Sequence, residues 1–213
     1  MKYNKLLSLV FLVSFLVSCC KQHQEARRPL SQSSGSFMKK SIERNKKLNA
    51  SEEDQILAII KKTPNNKYIA SKKGYWYSYE IKNELDTITP KKGDVAFFDY
   101  EIKDLKGNII YSKLELGPQT YLVDKQNIMM GLRNGIKLMH KNEKVNFLFP
   151  SHMGFGYHGD NKKIGHNQPL SCTVTLHNFI SEEAFKKEIK LKDSSIVKQA
   201  TRTENSSKDT INN

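Results

Sequence analysis

Cysteine is scarce in this chain of 213 residues: there are three, Cys19, Cys20 and Cys172. Two adjoin near one end and the third stands far along the chain, so no disulfide framework is available to staple the fold. No apolar run is long enough to cross a bilayer, for which about 20 residues are needed; the longest, Leu6 to Val17, falls well short. Acidic residues are in deficit, with 22 Asp and Glu against 35 Lys and Arg and a net charge of +13. That excess suits anionic surfaces or acidic partners. No Lys/Arg run alternates with aromatics and no nucleic-acid motif appears, so the chain does not read as a nucleic-acid binder. The histidines at 23, 140, 152, 158, 166 and 177 lack the His-x-x-x-His or paired-Cys spacing of metal sites. Nothing in the sequence asks for a metal, nucleotide or haem, so no cofactor is expected.

What is present begins with Lys2 and Lys5, an apolar stretch, and a small residue at Ser18. Charge, apolar run and small residue in that order form an export signal, to be set aside in fold reasoning. Leu16-Val17-Ser18-Cys19 resembles the lipobox of bacterial lipoproteins, in which the cysteine is lipidated and becomes the first mature residue. The hydrophobic pattern alone gives only export. The resemblance implies lipidation at Cys19 in preference to Cys20, residues 1–18 as signal peptide, and a periplasm-facing place in a bacterial envelope. Loss of Lys2 and Lys5 would leave 33 basic against 22 acidic side chains, net +11. Two or three acyl chains would anchor firmly, since one alone binds only marginally.

Residues 19–50 are mostly Lys, Arg, Gln, Ser, Asn and Glu. They bury too little to offset their ordering entropy and read as a flexible tether. Ser51-Glu52-Glu53-Asp54 has the form of a helix start, with Ser51 as cap and acids in the first turn. Ile56, Leu57, Ile59 and Ile60 give that helix an apolar face, and Pro64 ends it, so residues 51–74 form a short helical segment and connection. From Tyr75 the pattern turns strand-like. Ala96, Phe98, Tyr100 and Ile102 share one face of a strand; Val145, Phe147 and Phe149 alternate, as do Leu170, Cys172, Val174 and Leu176. Cys172 then reads as a small buried hydrophobe. Ile128, Met129, Leu132 and Ile136 recur at helical spacing, with Gly131 and Gly135 limiting the helix to a short one. Residues 151–169 form a long glycine-bearing loop, a common place for function. The pattern predicts one α+β domain over residues 75–180. Residues 181–213 form a polar tail, disordered apart from a helix over Glu182 to Ile189.

Six short motifs in order carry a resemblance: Gly93-Asp94-Val95 with Tyr100; Gly107; Asn127 to Met139; Glu143-Lys144-Val145 with Phe149-Pro150; Phe155-Gly156-Tyr157-His158-Gly159; and Ile164, Pro169-Leu170 and Val174-Thr175-Leu176. From Lys92 to Phe179 the chain resembles the FKBP-type peptidyl-prolyl cis-trans isomerases. With the lipobox and tether, it looks most like the gliding-motility-associated isomerase lipoproteins of flavobacteria. The resemblance implies an FKBP-like twisted antiparallel sheet wrapped on a short helix, with an apolar pocket between them.

Carried over residue by residue, it makes Tyr100, Tyr121, Met129, Leu132 and Phe155 the catalytic enclosure of a substrate proline, with the Met129 N–H holding the neighbouring carbonyl. Tyr111, Ile128, Tyr157, Ile164 and Cys172 become substrate-binding positions. Tyr111 stands where the family usually has Asp, Leu132 where it has Trp, Phe155 where it has Tyr, and Cys172 where it has Phe. Tyr157 offers a replacement hydroxyl. Singly, each of these reads as core; their order and the family pattern lift them. The expected activity is prolyl isomerisation on proline-containing segments of exported or envelope proteins, including those of a gliding machinery. The competing reading is a non-catalytic peptide-binding or chaperone module on the same fold, and a third is a purely structural envelope lipoprotein.

Overall fold

The computed structural model describes residues 34–192; the expected signal peptide over residues 1–18, Cys19, Cys20 and the last twenty-one residues lie outside them. The chain divides at Glu43/Arg44 into two units, and the fold belongs to the second. A helix α1 (Ser34–Lys62) leads into β1 (Ile69–Ala70) and β2 (Trp76–Ile81). Then follow β3 (Asp94–Asp104), β4 (Ile109–Tyr111), a single turn α2 (Lys113–Leu116) and β5 (Gln119–Leu122). The short helix α3 (Met130–Gly135) runs on into a 3-10 turn (Ile136–Leu138). β6 (Glu143–Phe149), a 3-10 turn (Ser151–Met153) and β7 (Leu170–Ser181) complete the sheet. Residues 182–192 are helical and are termed α4.

All seven strands form one antiparallel sheet in the order β1-β2-β6-β7-β3-β4, with β5 also on β3. The α+β architecture and antiparallel sheet expected from the sequence are those observed. Alternation explains the core directly, since residues two apart on a strand face one side. Val145, Phe147 and Phe149 on β6, and Leu170, Cys172, Val174 and Leu176 on β7, are all buried against the helix. Phe147 and Phe149 stack with centroids 5.4 Å apart, and the Tyr75 ring meets Phe149 edge-on at 5.6 Å.

Gly131 and Gly135 do not break the helix; they lie inside α3, one turn apart, and let it approach β6. A Cβ on Gly131 would sit 2.6 Å from the Phe149 ring, and one on Gly135 would sit 2.8 Å from Phe147. Close helix–sheet packing is thus written as two glycines against two phenylalanines.

The largest departure from the expected layout is at the front. The helix begins at Ser34, not at Ser51, so residues 34–50 of the expected tether are helical. Lys, Arg, Glu, Leu and Ala are good helix formers, and a docked turn propagates cheaply into such a segment. Nearly all of residues 36–51 are exposed, as their composition requires. Ser51 is therefore a mid-helix residue. Glu52 is no first-turn acid either: it is 2% exposed, and Ile56 one turn on is fully buried. The Glu52 carboxylate accepts from the Ser151 backbone N–H and the Ser151 hydroxyl, both at 2.7 Å. That contact docks α1 on the turn that opens the long loop.

Candidate functional site

Strands β3 and β5, helix α3 and the long loop converge on a cavity of about 450 Å³. Phe98, Tyr100 and Ile102 from β3 line it, with Gln119, Thr120 and Tyr121 from β5, Asn127, Ile128 and Met129 from the α3 approach, Leu132 from α3, and Phe155 from the loop. The β3 residues share one face because they are two apart. Leu132 is held at the floor because the helix is pulled onto β6 by its glycines. Burial pushes the Tyr100 phenol above its ordinary value, so it stays protonated at neutral pH. Tyr121 Oη accepts the Asp124 N–H at 2.9 Å, which fixes the ring. Met129 is the residue before α3, and its N–H has no acceptor among the described residues. A helix start leaves such donors open.

All five residues expected to enclose a proline therefore surround one cavity, and Ile128 joins them. The other four do not line it. Cys172 is fully buried in β7, opposite Ile102 on one side and Phe147 on the other, with its thiol pushed up by burial. Ile164 is buried in the core, and Asp160 Oδ1 accepts its N–H. Tyr157 is 69% exposed, packed against the His158 and His166 rings. The left-handed Gly156 (φ 61°) lies between it and Phe155, so the expected replacement hydroxyl is not delivered to the cavity.

Tyr111 takes a different part. Its hydroxyl donates to Asp160, and Lys163 Nζ lies 4.8 Å from its ring centroid. Lys163 also pairs with Glu115 of α2. Three contacts thus tie the β4–α2 corner to the far end of the loop. The Asp160 carboxylate pushes the Tyr111 phenol above its ordinary value, with burial adding to it. Burial alone would raise the Asp160 carboxyl, but the Tyr111 hydroxyl and the Ile164 and Lys162 amides outweigh it and hold the group low.

Sequence reasoning missed Phe98, Ile102, Gln119, Thr120 and Asn127 as cavity residues. Phe98 and Ile102 had a signal, since they share the β3 face with Tyr100. The cavity lining carries no carboxylate, histidine or cysteine; it offers aromatic and aliphatic walls, three amide or hydroxyl side chains and the open Met129 N–H.

Residues 86–177 match the family model described as FKBP-type peptidyl-prolyl cis-trans isomerase, so this stretch carries the FKBP-like fold. β1 and β2 precede the matched stretch yet belong to the same sheet. Among solved structures, the chain is similar to a peptidyl-prolyl cis-trans isomerase of Pseudomonas syringae pv. tomato, at 16% identity and a TM-score of 0.50. That match covers 61% of this chain and 93% of the other. It is also similar to FkpA of Escherichia coli, at 16% identity and a TM-score of 0.53, covering 82% and 83% of the two chains. At such identities these likenesses speak for the fold alone. No curated protein matches the chain.

Proposed function

We propose that this chain catalyses cis–trans isomerisation of X–Pro bonds in exported or envelope proteins, from a lipid anchor at Cys19. The observation that carries the reading is the cavity itself: a recess of about 450 Å³ walled by Phe98, Tyr100, Tyr121, Phe155 and aliphatic side chains, with the open Met129 N–H at its edge.

Rotation about an X–Pro bond is slow because the amide's partial double bond must twist, behind a barrier of about 20 kcal/mol. Twisting breaks conjugation and makes the bond less polar. Apolar walls favour that state over the planar amide, and a donor aligned only with the twisted carbonyl lowers the barrier further. In this cavity Tyr100, Tyr121, Leu132 and Phe155 would hold the ring, and the Met129 N–H would hold the carbonyl. No acid, base or nucleophile is needed, which agrees with the residues present.

The test is isomerisation of an X–Pro peptide series by the purified full-length chain and by Tyr100→Ala. The expected outcome is acceleration that falls on the order of tenfold or more in the variant. A folded chain that binds proline peptides without accelerating them would replace the enzyme with the peptide-binding module. Leu132 at the floor, smaller than an aromatic ring, is the feature that favours that second reading.

The envelope part of the proposal rests on the leader and Cys19. Among the described residues no helix is long and apolar enough to cross a membrane. Mass spectrometry of the membrane fraction should find a mature chain beginning at an acylated Cys19. An unmodified start, or one elsewhere, would remove the anchor and leave the isomerase. Service to a gliding-motility machinery is the narrowest form of the proposal, supported only by the order of lipobox, tether and late isomerase domain.

A further inference from the structure

Beside the cavity lies a second recess, polar and of about 460 Å³, lined by Lys92, Asp124, Met130, Arg133, Asn134 and Lys137. The two recesses share a partition. Asp124 in the second donates its N–H to Tyr121 Oη in the first, and the consecutive Met129 and Met130 line one each. Asp124 also organises the cations. Its Oδ1 accepts from Arg133 Nε at 2.9 Å and Lys137 Nζ at 3.0 Å, and its Oδ2 accepts from Lys137 Nζ at 2.9 Å.

This arrangement orients Arg133 without using it up. The guanidinium is held through Nε alone, and its two terminal amino groups have no acceptor among the described residues, with the side chain 42% exposed. Three cations, Lys92, Arg133 and Lys137, therefore line the recess around one carboxylate, which pairs with Arg133 and Lys137. Lys73 reaches the same rim, its Nζ donating to Asn134 Oδ1 at 2.8 Å. The neighbouring Lys125 is taken by Glu182 and adds no free charge. A guanidinium edge with two parallel donors fits a carboxylate in bidentate fashion, which a lysine cannot do. Met130, 53% exposed on the same recess, offers an apolar contact beside it.

We propose that this recess takes the carboxylate of an Asp or Glu side chain on the same polypeptide whose proline enters the cavity. The domain then selects proline segments flanked by acidic residues. This rests on the cavity being a proline site, and the experiment separates the two.

Three labelled peptides with one Leu-Pro core, flanked on both sides by Glu, Gln or Lys, are titrated against the full-length chain by fluorescence anisotropy at low salt. The Glu peptide should bind about tenfold tighter than the Gln peptide, and the Lys peptide weakest. Arg133→Ala should erase the difference between Glu and Gln. Arg133→Lys, which keeps the charge but not the fork, should retain only part of it. Lys144→Ala, which removes a cation paired with Glu80 on another part of the sheet, should leave it intact. Equal binding of Glu and Gln peptides overturns the recess and leaves the proline cavity standing. A Glu preference that survives in Arg133→Ala, or that Lys144→Ala removes equally, also overturns it, in favour of general charge attraction. Failure of all three peptides to bind overturns both readings. Phosphatidylglycerol vesicles held through Arg133, without any Glu preference, would overturn it in favour of a lipid headgroup.

Discussion

The two sides of the cavity are held by different physics. The floor and the strand wall are apolar packing: Phe98, Tyr100 and Ile102 on one strand face, with Leu132 on a helix that two glycines bring against Phe147 and Phe149. The loop wall that carries Phe155 is held by carboxylates. Glu52 grips Ser151 where the loop leaves β6, while Asp160 and Lys163 tie its far part to Tyr111 and Glu115. Packing is non-directional and tolerates neither gaps nor extra atoms. Hydrogen-bonded carboxylates are directional and titrate. The first side should answer to volume and the second to pH and partner loss.

Volume comes first in size. Phe147→Ala removes a fully buried ring from the stack under α3 and should cost about 3–5 kcal/mol, read as a lowered denaturant midpoint. The loss should be the same at pH 5 and pH 8. A pH-dependent loss would mean that the floor is not a purely apolar structure. Gly131→Ala attacks the same side from the opposite direction. Its new Cβ would meet Phe149 at 2.6 Å, so overpacking should cost about 1–3 kcal/mol. Because Leu132 follows directly, peptide affinity should fall with stability. Unchanged stability would show that α3 can lift off β6 without penalty.

Glu52→Leu tests the other side. It leaves the buried Ser151 N–H and hydroxyl without their acceptor, at about 1–3 kcal/mol. Adding Ser151→Ala should recover part of this, because one orphaned donor is then gone. In a double-mutant cycle the pair should therefore be non-additive. Additive losses would mean that Glu52 acts only through the helix it sits on. Hydrogen exchange across residues 151–156 should quicken in the single variant, since the loop loses its first fastening.

The same division decides what the sequence reveals. Period-two alternation is local, so the β6 and β7 faces and the β3 wall can be read from a few residues. The α3 spacing is likewise local, although the packing role of Gly131 and Gly135 shows only once Phe147 and Phe149 are seen opposite them. The carboxylate fastenings join Glu52 to Ser151 and Tyr111 to Asp160, far apart in the chain. No periodicity marks such pairs. Ser51-Glu52 imitated a helix start because a capping serine and a first-turn acid look the same as a mid-helix serine and a buried acceptor. The helical residues 34–50 escape a reading based on apolar pattern, because a lack of apolar residues is not a lack of helix propensity. Helix propensity is local, whereas burial depends on what is nearby.

The smallest effect belongs to the clasp at the far end of the loop. The Tyr111 phenol is held above its ordinary 10.0 by Asp160 and by burial. Its contribution is complete below pH 10.0 and is lost as pH rises through the higher folded value. The Asp160 carboxyl is held below its ordinary 3.8 by the Tyr111 hydroxyl and the neighbouring amides, against burial. Its contribution is complete above pH 3.8 and is lost as pH falls through the lower folded value. Between those limits the clasp should not titrate. Amide exchange at Ile164, whose N–H is held by Asp160, should therefore stay flat across neutral pH after correction for intrinsic chemistry. It should accelerate towards both extremes. Tyr111→Phe should remove the alkaline limb and leave the acid limb, since the Asp160 contacts to the loop amides remain. Loss of both limbs would show that Asp160 holds the loop only through Tyr111. An unchanged alkaline limb would place the titrating group elsewhere, and the loop wall would then depend on Glu52 alone.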